Sequence, residues 1–201
     1  RDPTTQTLVI ASAMALTPSN SVALGTPRPA LMLQTMEGAS FDASMLPARA
    51  PLVVAFICPH CPYVKHLRKA LGIFGAELEA LGVAMVAINS NDLERFPQDG
   101  PDGMRGEIAD GAYTFPYLLD PSQATARAFR AACTPDFFVF DREGALHYHG
   151  QFDASRPGND VPVTGENLRA AVRAAADGRA YSESMTPSIG CNIKWAPGNE
   201  P

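Results

Sequence analysis

Two uninterrupted apolar runs, 52–57 and 83–88, dominate the hydrophobic pattern of this 201-residue chain. Neither run alternates with polar residues, which is typical of strands that are covered on both faces in the middle of a sheet. Between the runs, apolar residues recur at helical spacing across 61–81, and Gly82 ends this pattern. The order strand, helix, strand predicts a right-handed parallel crossover unit and hence an α/β fold.

The rest of the chain predicts shorter elements around this unit. Two apolar segments, 31–33 and 39–41, flank a turn and indicate a small N-terminal β-hairpin. A polar insertion, 89–111, follows the crossover unit. Further strands are predicted at 115–120, 137–140 and 145–149, and further helices at 123–132 and 166–176.

The two ends of the chain carry weaker signals. Residues 1–13 have the small-residue character of the end of a signal peptide, but they lack its charged start and its long apolar core. We therefore expect an artificial or mis-started leader ahead of Met14 and a single domain over 14–201. On this expectation the protein is cytoplasmic, whereas a signal remnant would make it periplasmic. Residues 181–201 show little periodicity and are expected to pack down as a C-terminal tail.

The composition narrows the classes of function. With 46% apolar and 18% charged residues, the chain is that of an ordinary globular protein. The net charge of −5 and the lack of a long basic run argue against nucleic-acid binding. The apolar stretches are too short to cross a membrane, and no cofactor is expected. The four cysteines are too few for a disulfide scaffold, so they indicate chemistry instead.

The segment Cys58-Pro59-His60-Cys61 lies where the first buried strand passes into the helix. The first turn of a helix brings two such thiols together, close enough for a reversible disulfide. We expect the helix N-terminus and His60 to lower the pKa of Cys58, the nucleophile, and Cys61 to be the sheltered resolving cysteine. A C-x-x-C is also half of a zinc site, but Cys133 and Cys191 do not form a second pair, so no metal site is assigned.

Thr134-Pro135, directly before a predicted strand, is the second candidate element of the site. An X-Pro bond at such a place can be cis, and a loop facing the dithiol could hydrogen-bond the extended chain of a substrate. Pro59, Thr134 and Pro135 are therefore predicted to bind substrate. The alternative is an ordinary trans proline at the start of a strand.

The other two cysteines allow three interpretations. Cys133 and Cys191 are buried apolar thiols, or a second disulfide that fixes the tail, or a relay that carries oxidation outward from Cys58 and Cys61. His147 and His149 alternate on a predicted strand and are expected to be solvated edge residues rather than metal ligands.

Taken together, these motifs resemble the bacterial AhpC/TSA, or redoxin, family of the thioredoxin superfamily. The resemblance covers about 14–201 and implies a thioredoxin fold, with a central mixed sheet flanked by helices. It adds an N-terminal hairpin, an insertion after the first βαβ unit and a C-terminal tail. The segments that carry it are 58–66, 89–92, 115–117, 133–141 and 187–195.

The chain departs from better-known relatives at informative positions. Thioredoxins have Trp where this chain has Ile57, and a buried Asp earlier on the same strand, so a different proton acceptor must serve Cys61 here. Peroxiredoxins need a hydroxyl where Ala55 stands, which argues against efficient peroxide chemistry. The Pro-His pair between the cysteines is similar to that of periplasmic disulfide-forming oxidases.

The sequence thus predicts a thiol-disulfide oxidoreductase. Its partners would be protein or small-molecule disulfides and thiols, together with an electron donor that the sequence does not identify. One alternative is a peroxiredoxin-like thiol peroxidase with Cys58 as the peroxidatic cysteine. The other is a copper- or zinc-binding protein that uses the C-x-x-C and a nearby histidine.

Overall fold

The computed structural model describes residues 16–201, so the expectations for residues 1–13 and for a domain beginning at Met14 lie outside the described residues. Within the described part, no helix is both long and apolar enough to cross a membrane. The strands are Leu16–Pro18 (β1), Leu52–Phe56 (β2), Ala84–Asn89 (β3), Tyr117–Leu119 (β4), Cys133–Thr134 (β5), Asp136–Phe140 (β6), Leu146–Gly150 (β7) and Ile189–Asn192 (β8). The helices are Pro62–Ala80 (α1), Pro101–Gly111 (α2), Ala124–Phe129 (α3) and Glu166–Ala176 (α4), with short 3₁₀ turns at Ala43–Met45 and Pro97–Asp99.

A five-stranded mixed sheet in the order β4-β3-β2-β6-β7 forms the centre of the protein. Strands β2, β3 and β4 pair in parallel, and β6 pairs antiparallel with both β2 and β7. Helix α1 connects β2 to its parallel neighbour β3. The predicted crossover unit and the mixed α/β sheet are therefore confirmed.

Both faces of this sheet are covered, which explains the unbroken apolar run in β2. Val53 and Ala55 pack in one apolar cluster with residues of α1 and α4. Val54 and Phe56 point to the opposite face and pack in a second cluster with Phe129 of α3. Because successive strand residues face opposite ways, a strand between two such layers must be apolar at every position.

A second, three-stranded sheet in the order β1-β8-β5 brings the C-terminal tail to the dithiol end of the central sheet. Cys191 on β8 lies opposite Leu16 on one side and opposite Thr134 on the other. A Cβ atom on Gly190 would lie only 1.9 Å from the Thr134 carbonyl oxygen, so only glycine permits this approach. The tail packs down as expected, but its strand was not predicted.

The N-terminal hairpin is smaller than predicted. Gln34 and Ser40 form a single antiparallel bridge, and the Phe41 amide donates to the Leu33 carbonyl at 2.9 Å. Gln34 also bridges Leu119 on β4. The segment is thus a tight turn docked on the β4 edge of the central sheet rather than a pair of full strands.

Helix α2, in the insertion after β3, lies directly against α1. A Cβ atom on Gly72 of α1 would lie 1.8 Å from the carbonyl oxygen of Gly111, the last residue of α2. The two backbones therefore touch at this point. This contact places the insertion beside the helix that begins at the dithiol.

Candidate functional site

Cys58 and Cys61 lie in the turn that joins β2 to α1. The Cys61 amide donates to the Cys58 carbonyl at 3.3 Å, and Cys61 is the N-cap of α1, which begins at Pro62. Both cysteines are free thiols with about 1% of their surface exposed or less. The two thiols are close enough for each to shift the pKa of the other. The structure thus brings together the two thiols that the sequence singled out.

The Thr134–Pro135 segment faces both thiols, and its peptide bond is cis. The Thr134 hydroxyl oxygen is 3.4 Å from Cys58 Sγ, and its carbonyl oxygen is 3.1 Å from Cys61 Sγ. Pro59 is also buried, and its Cβ lies 3.4 Å from where a Cβ on Gly103 of α2 would stand. Of the three predicted substrate-binding residues, Thr134 and Pro135 thus lie in the segment that faces the thiols, whereas Pro59 packs against the insertion.

His60 bonds mainly to Asp99, a residue that the sequence analysis missed. Its Nδ1 is 2.5 Å from Asp99 Oδ2, and its backbone amide donates to Asp99 Oδ1 at 3.0 Å. The same Nδ1 is 4.0 Å from Cys58 Sγ, so the contact with the thiol is the weaker one. The Asp99 side chain is fully buried, and its carboxylate fixes the orientation of the imidazole beside Cys58.

Asp99 is held by a polar network that runs to the C-terminal tail. The Asn91 side chain donates to Asp99 Oδ2 at 2.8 Å, and the Asn89 side chain donates to the Asp99 carbonyl at 2.7 Å. The Lys194 amide donates to Asn91 Oδ1 at 2.9 Å. The insertion and the tail therefore share hydrogen bonds next to the dithiol.

Cys191 contacts Cys61 directly, and the two sulfurs are 3.1 Å apart. Cys133 does not take part in this contact, and its sulfur lies 3.7 Å from the Pro135 carbonyl oxygen. In the β5–β8 ladder Cys133 is opposite Asn192, not Cys191, and neighbouring strand residues point to opposite faces. The Cys133–Cys191 disulfide, one of the three interpretations of these cysteines, is therefore not formed, because the two side chains lie on opposite faces.

The two thiols lie in a coupled pair, and their surroundings shift the two pKa values in opposite directions. Hydrogen bonds from the thiols of Cys191 and Cys58 lower the pKa of Cys61, and the Val64 amide in the first turn of α1 adds to them. The hydrogen bond with Cys61, burial and the charge of Asp99 raise the pKa of Cys58. The pKa of Cys58 is thus raised and not lowered as expected, because the neighbouring Cys61, burial and the Asp99 charge all disfavour its ionised form.

Glu107 of α2 is a buried carboxylate on the same side of the central sheet as the dithiol. It accepts hydrogen bonds from the hydroxyls of Tyr113 at 3.2 Å and Tyr117 at 3.3 Å. Burial raises the pKa of Glu107 to about 7, and the negative charge of Cys61 contributes. Because β2 carries no carboxylate, Glu107 is the candidate for the proton acceptor that the sequence left unassigned.

His149 is not the solvated edge residue that the sequence predicted. Its Nε2 is 3.0 Å from Asp136 Oδ1, and its ring stacks on Phe138 with centroids 3.9 Å apart. His149 is buried, whereas His147 is half-buried. Strand β7 is at the edge of the central sheet, but the second apolar cluster covers its inner face. The prediction fails for His149 because His149 lies on this covered face.

Cys58, His60 and Asp99 form the one cluster in residues 16–201 that could hold a metal ion. One ligand atom from each lies within 4.8 Å of the other two. Thiolate, imidazole and carboxylate are all ligands of zinc. This set differs from the predicted alternative, which used both cysteines.

Comparison with known proteins identifies the family of this chain. Residues 24–149 match the model of the AhpC/TSA family. The chain belongs to the AhpC/TSA family. The match includes the dithiol and the Thr134–Pro135 segment of this family member, whereas β8 and Cys191 lie beyond its end. A comparison with curated proteins gave no match.

Solved structures similar to this AhpC/TSA protein fall into two groups. A hypothetical protein from Sinorhizobium meliloti 1021 is 47% identical, covers 90% of this chain and 100% of its own, and has a TM-score of 0.86. An uncharacterized conserved protein from Geobacillus kaustophilus is 44% identical, with coverages of 92% and 98% and a TM-score of 0.87. A secreted Mycobacterium tuberculosis disulfide oxidoreductase homologous to E. coli DsbE is 19% identical, with coverages of 72% and 95% and a TM-score of 0.54. This last likeness is one of fold, and it confirms the expected thioredoxin fold.

Proposed function

We propose that this AhpC/TSA protein is a thiol-disulfide oxidoreductase that works through Cys58 and Cys61. The observation that carries the proposal is the position of these two cysteines at the N-terminus of α1, with the cis Thr134–Pro135 segment against both sulfurs. Two thiols in contact interconvert with a disulfide by exchange, and the rate depends on the thiolate fraction. The fold shared with a disulfide oxidoreductase supports the same conclusion.

Cys58 is the thiol that meets the substrate, because Cys61 is enclosed by Thr134 and Cys191. Cys58 gives up its proton and attacks one sulfur of the substrate disulfide, whose other sulfur leaves as a thiolate and takes up a proton. Cys61 then gives its proton to a base and attacks Cys58. This second step forms the Cys58–Cys61 disulfide and releases the remaining substrate thiolate. Glu107, with its pKa of about 7, is the candidate base.

A small cleft beside Pro135 has Tyr63 of α1, Arg156 and Ile189 at the start of β8 in its walls. The Arg156 guanidinium donates to the Asp153 and Ser155 carbonyls, so it is already engaged within the protein. A substrate chain that docks beside Pro135 therefore has to widen this cleft. Reduction of the dithiol back to its starting state requires an external thiol as electron donor.

The test is a titration in glutathione buffers, read by mass spectrometry of the tryptic peptide 50–65, which contains both cysteines. We expect a reversible two-electron transition that is lost in Cys58→Ser and in Cys61→Ser and kept in Cys133→Ser. A midpoint potential of about −270 mV would indicate a reductase, and one of about −120 mV would indicate a disulfide-forming oxidase. Absence of any reversible transition in the unaltered protein would contradict the proposal.

Thr134 favours thiol peroxidase activity as a second candidate. Its hydroxyl, 3.4 Å from Cys58 Sγ, stands in for the hydroxyl that is missing at Ala55. If it orients a peroxide, Thr134→Val would lower the rate of peroxide consumption by about 10²-fold, the usual effect of losing one oriented donor. Trapping of a sulfenic acid on Cys58 in Cys61→Ser is the direct check. No sulfenic acid and no peroxide consumption would exclude this activity.

The Cys58–His60–Asp99 cluster favours copper or zinc binding as a third candidate. Binding would compete with the hydrogen bond between His60 and Asp99 and would block alkylation of Cys58. The check is metal content after purification without chelators, together with the alkylation rate with and without added zinc. A metal-free protein whose alkylation zinc does not slow would exclude this function.

A further inference from the structure

A third thiol, Cys191, contacts the dithiol at Cys61. The distance of 3.1 Å between the sulfurs is about 1 Å longer than a disulfide bond. We infer that Cys191 is a third redox cysteine, which exchanges with the Cys58–Cys61 disulfide to give a Cys61–Cys191 disulfide and a free Cys58. This inference rests on the proposed function, because the exchange begins from the oxidised dithiol.

The position of Cys191 is built into the sheet rather than left to a mobile tail. Its strand, β8, is paired on both sides, with β1 at Leu16 and with β5 at Thr134. The Ile193 amide extends the pairing by donating to the Ala132 carbonyl at 3.1 Å. Because Gly190 has no side chain, β8 lies close against Thr134, whose carbonyl oxygen is itself 3.1 Å from Cys61 Sγ. The ladder therefore holds Cys191 next to Cys61.

Burial restricts the reaction partners of Cys191. Cys191 is 2% exposed and Cys61 is fully buried, so the partner of Cys191 is set by what packs against its sulfur. The sulfur that Cys191 meets is that of Cys61. Cys133 is equally buried, but it faces away from the dithiol, so it is the natural control.

The exchange balances without any added oxidant or reductant. The Cys191 sulfur gives up its proton and attacks Cys61 Sγ, the Cys61–Cys191 bond forms, and the Cys58–Cys61 bond breaks. Cys58 leaves as a thiolate and takes up one proton, so no net proton or electron is exchanged with the surroundings. The oxidising equivalents then lie in the interior, and Cys58 is again a thiol that can react with a second substrate.

Cys191 also has a role in the reduced protein, where its contact with Cys61 lowers the pKa of Cys61. The two roles can be separated by substitution. Serine keeps a donor at position 191 but cannot form a disulfide, whereas alanine removes both. Cys191→Ser should therefore lose the exchange alone, and Cys191→Ala should also raise the pKa of Cys61.

The sequence makes the disulfides easy to tell apart after trypsin digestion. Cys58 and Cys61 share the peptide 50–65, Cys133 lies in 131–142, and Cys191 lies in 180–194. The full chain is oxidised with glutathione disulfide, quenched with acid, alkylated and digested. A Cys58–Cys61 disulfide leaves 50–65 internally linked, whereas the inferred disulfide joins 50–65 to 180–194 and leaves Cys58 alkylated.

We expect the unaltered protein to show both forms, with Cys58 alkylated in every joined peptide. Cys58→Ser should give the joined peptide alone, since only Cys61 and Cys191 remain in contact. Cys191→Ser should keep the internal link and lose both the joined peptide and the alkylated Cys58. Cys133→Ser should behave as the unaltered protein does.

Detection of the internal link without any joined peptide in the unaltered protein would overturn the inference, even if Cys58→Ser formed the joined peptide. The decisive measurement needs no substitution, so a variant that fails to fold does not affect it. Failure of the proposed function looks different, because then the unaltered protein would show no internally linked 50–65 at any glutathione ratio.

Discussion

Replacing Glu107 with glutamine should make the stability of this protein less dependent on pH. The Glu107 carboxylate is buried against the hydroxyls of Tyr113 and Tyr117, and burial raises its pKa from 4.5 to about 7. In the folded protein the carboxyl thus keeps its proton up to about pH 7, whereas in the unfolded chain it loses the proton near 4.5. Unfolding between these two pH values releases a proton, so stability falls as the pH rises through this window.

The size of the effect follows from the two pKa values of Glu107. One pKa unit corresponds to about 1.4 kcal/mol, so the loss across the window is about 3 kcal/mol. Glutamine has nearly the same shape, can still accept from a tyrosine hydroxyl and does not ionise. Glu107→Gln should therefore match the unaltered protein near pH 4.5 and exceed its free energy of unfolding by up to about 3 kcal/mol at pH 8.

The assay is urea unfolding of the reduced protein, followed by circular dichroism at several pH values from 4.5 to 8.5. The quantity compared is the difference in free energy of unfolding between variant and unaltered protein, because other titrating groups cancel in it. Glu79→Gln, at an exposed position of α1, is the matched control and should give a flat difference. A flat difference for Glu107→Gln as well, or one that shrinks as the pH rises, would refute the reasoning.

Three further substitutions test other parts of the site. Asp99→Asn should lower the pKa of Cys58, because it removes a negative charge that raises it, and should speed alkylation of Cys58 at neutral pH. Asp102→Asn, at an exposed position of α2, is the control, and an unchanged or slower rate in Asp99→Asn would contradict the assigned role. Gly190→Ala should cost about 2 kcal/mol of unfolding free energy, because its Cβ would meet the Thr134 carbonyl. The control is Gly106→Ala on α2, whose Cβ would meet open space, and it should be neutral or stabilising by up to about 1 kcal/mol. Equal effects of Gly190→Ala and Gly106→Ala on the free energy of unfolding would show that the β8 contact is not tight. His149→Ala should cost about 3 kcal/mol, because it leaves the buried Asp136 without its histidine partner. The control is His147→Ala, because His147 is only half-buried. It should lower the free energy of unfolding by about 1 kcal/mol or less in the same urea unfolding experiment.

The sequence predicted the part of the fold whose signals are local. The apolar runs of β2 and β3 and the helical spacing of α1 each lie within one stretch of chain, and the rules for parallel connections place them side by side. The dithiol follows, because its position at the start of α1 is itself a feature of the sequence. These elements could be predicted because no distant partner is needed to recognise them.

The missed features all depend on distant partners. Strand β8 is four residues long, and only its pairing with Leu16 and Thr134 defines it as a strand. Asp99 lies in a polar insertion without periodicity, and nothing local indicates that it reaches His60. His149 alternates as an edge residue would, and its burial depends on the layer that covers β7. A resemblance over the tail drew attention to Cys191 but could not tell which sulfur it meets.

The electrostatics of the dithiol depend on this distant strand. Two of the groups that lower the pKa of Cys61, the Cys58 thiol and the N-terminus of α1, are present wherever a C-x-x-C begins a helix. The largest contribution comes from Cys191, which lies 130 positions further along the chain and is held in place by β8. Whatever stabilises the thiolate stabilises the reduced form and makes the disulfide a stronger oxidant. Loosening β8 would therefore raise the pKa of Cys61 and weaken the oxidising power of the dithiol. The redox chemistry of the site thus depends on the same strand pairing that stabilises the tail.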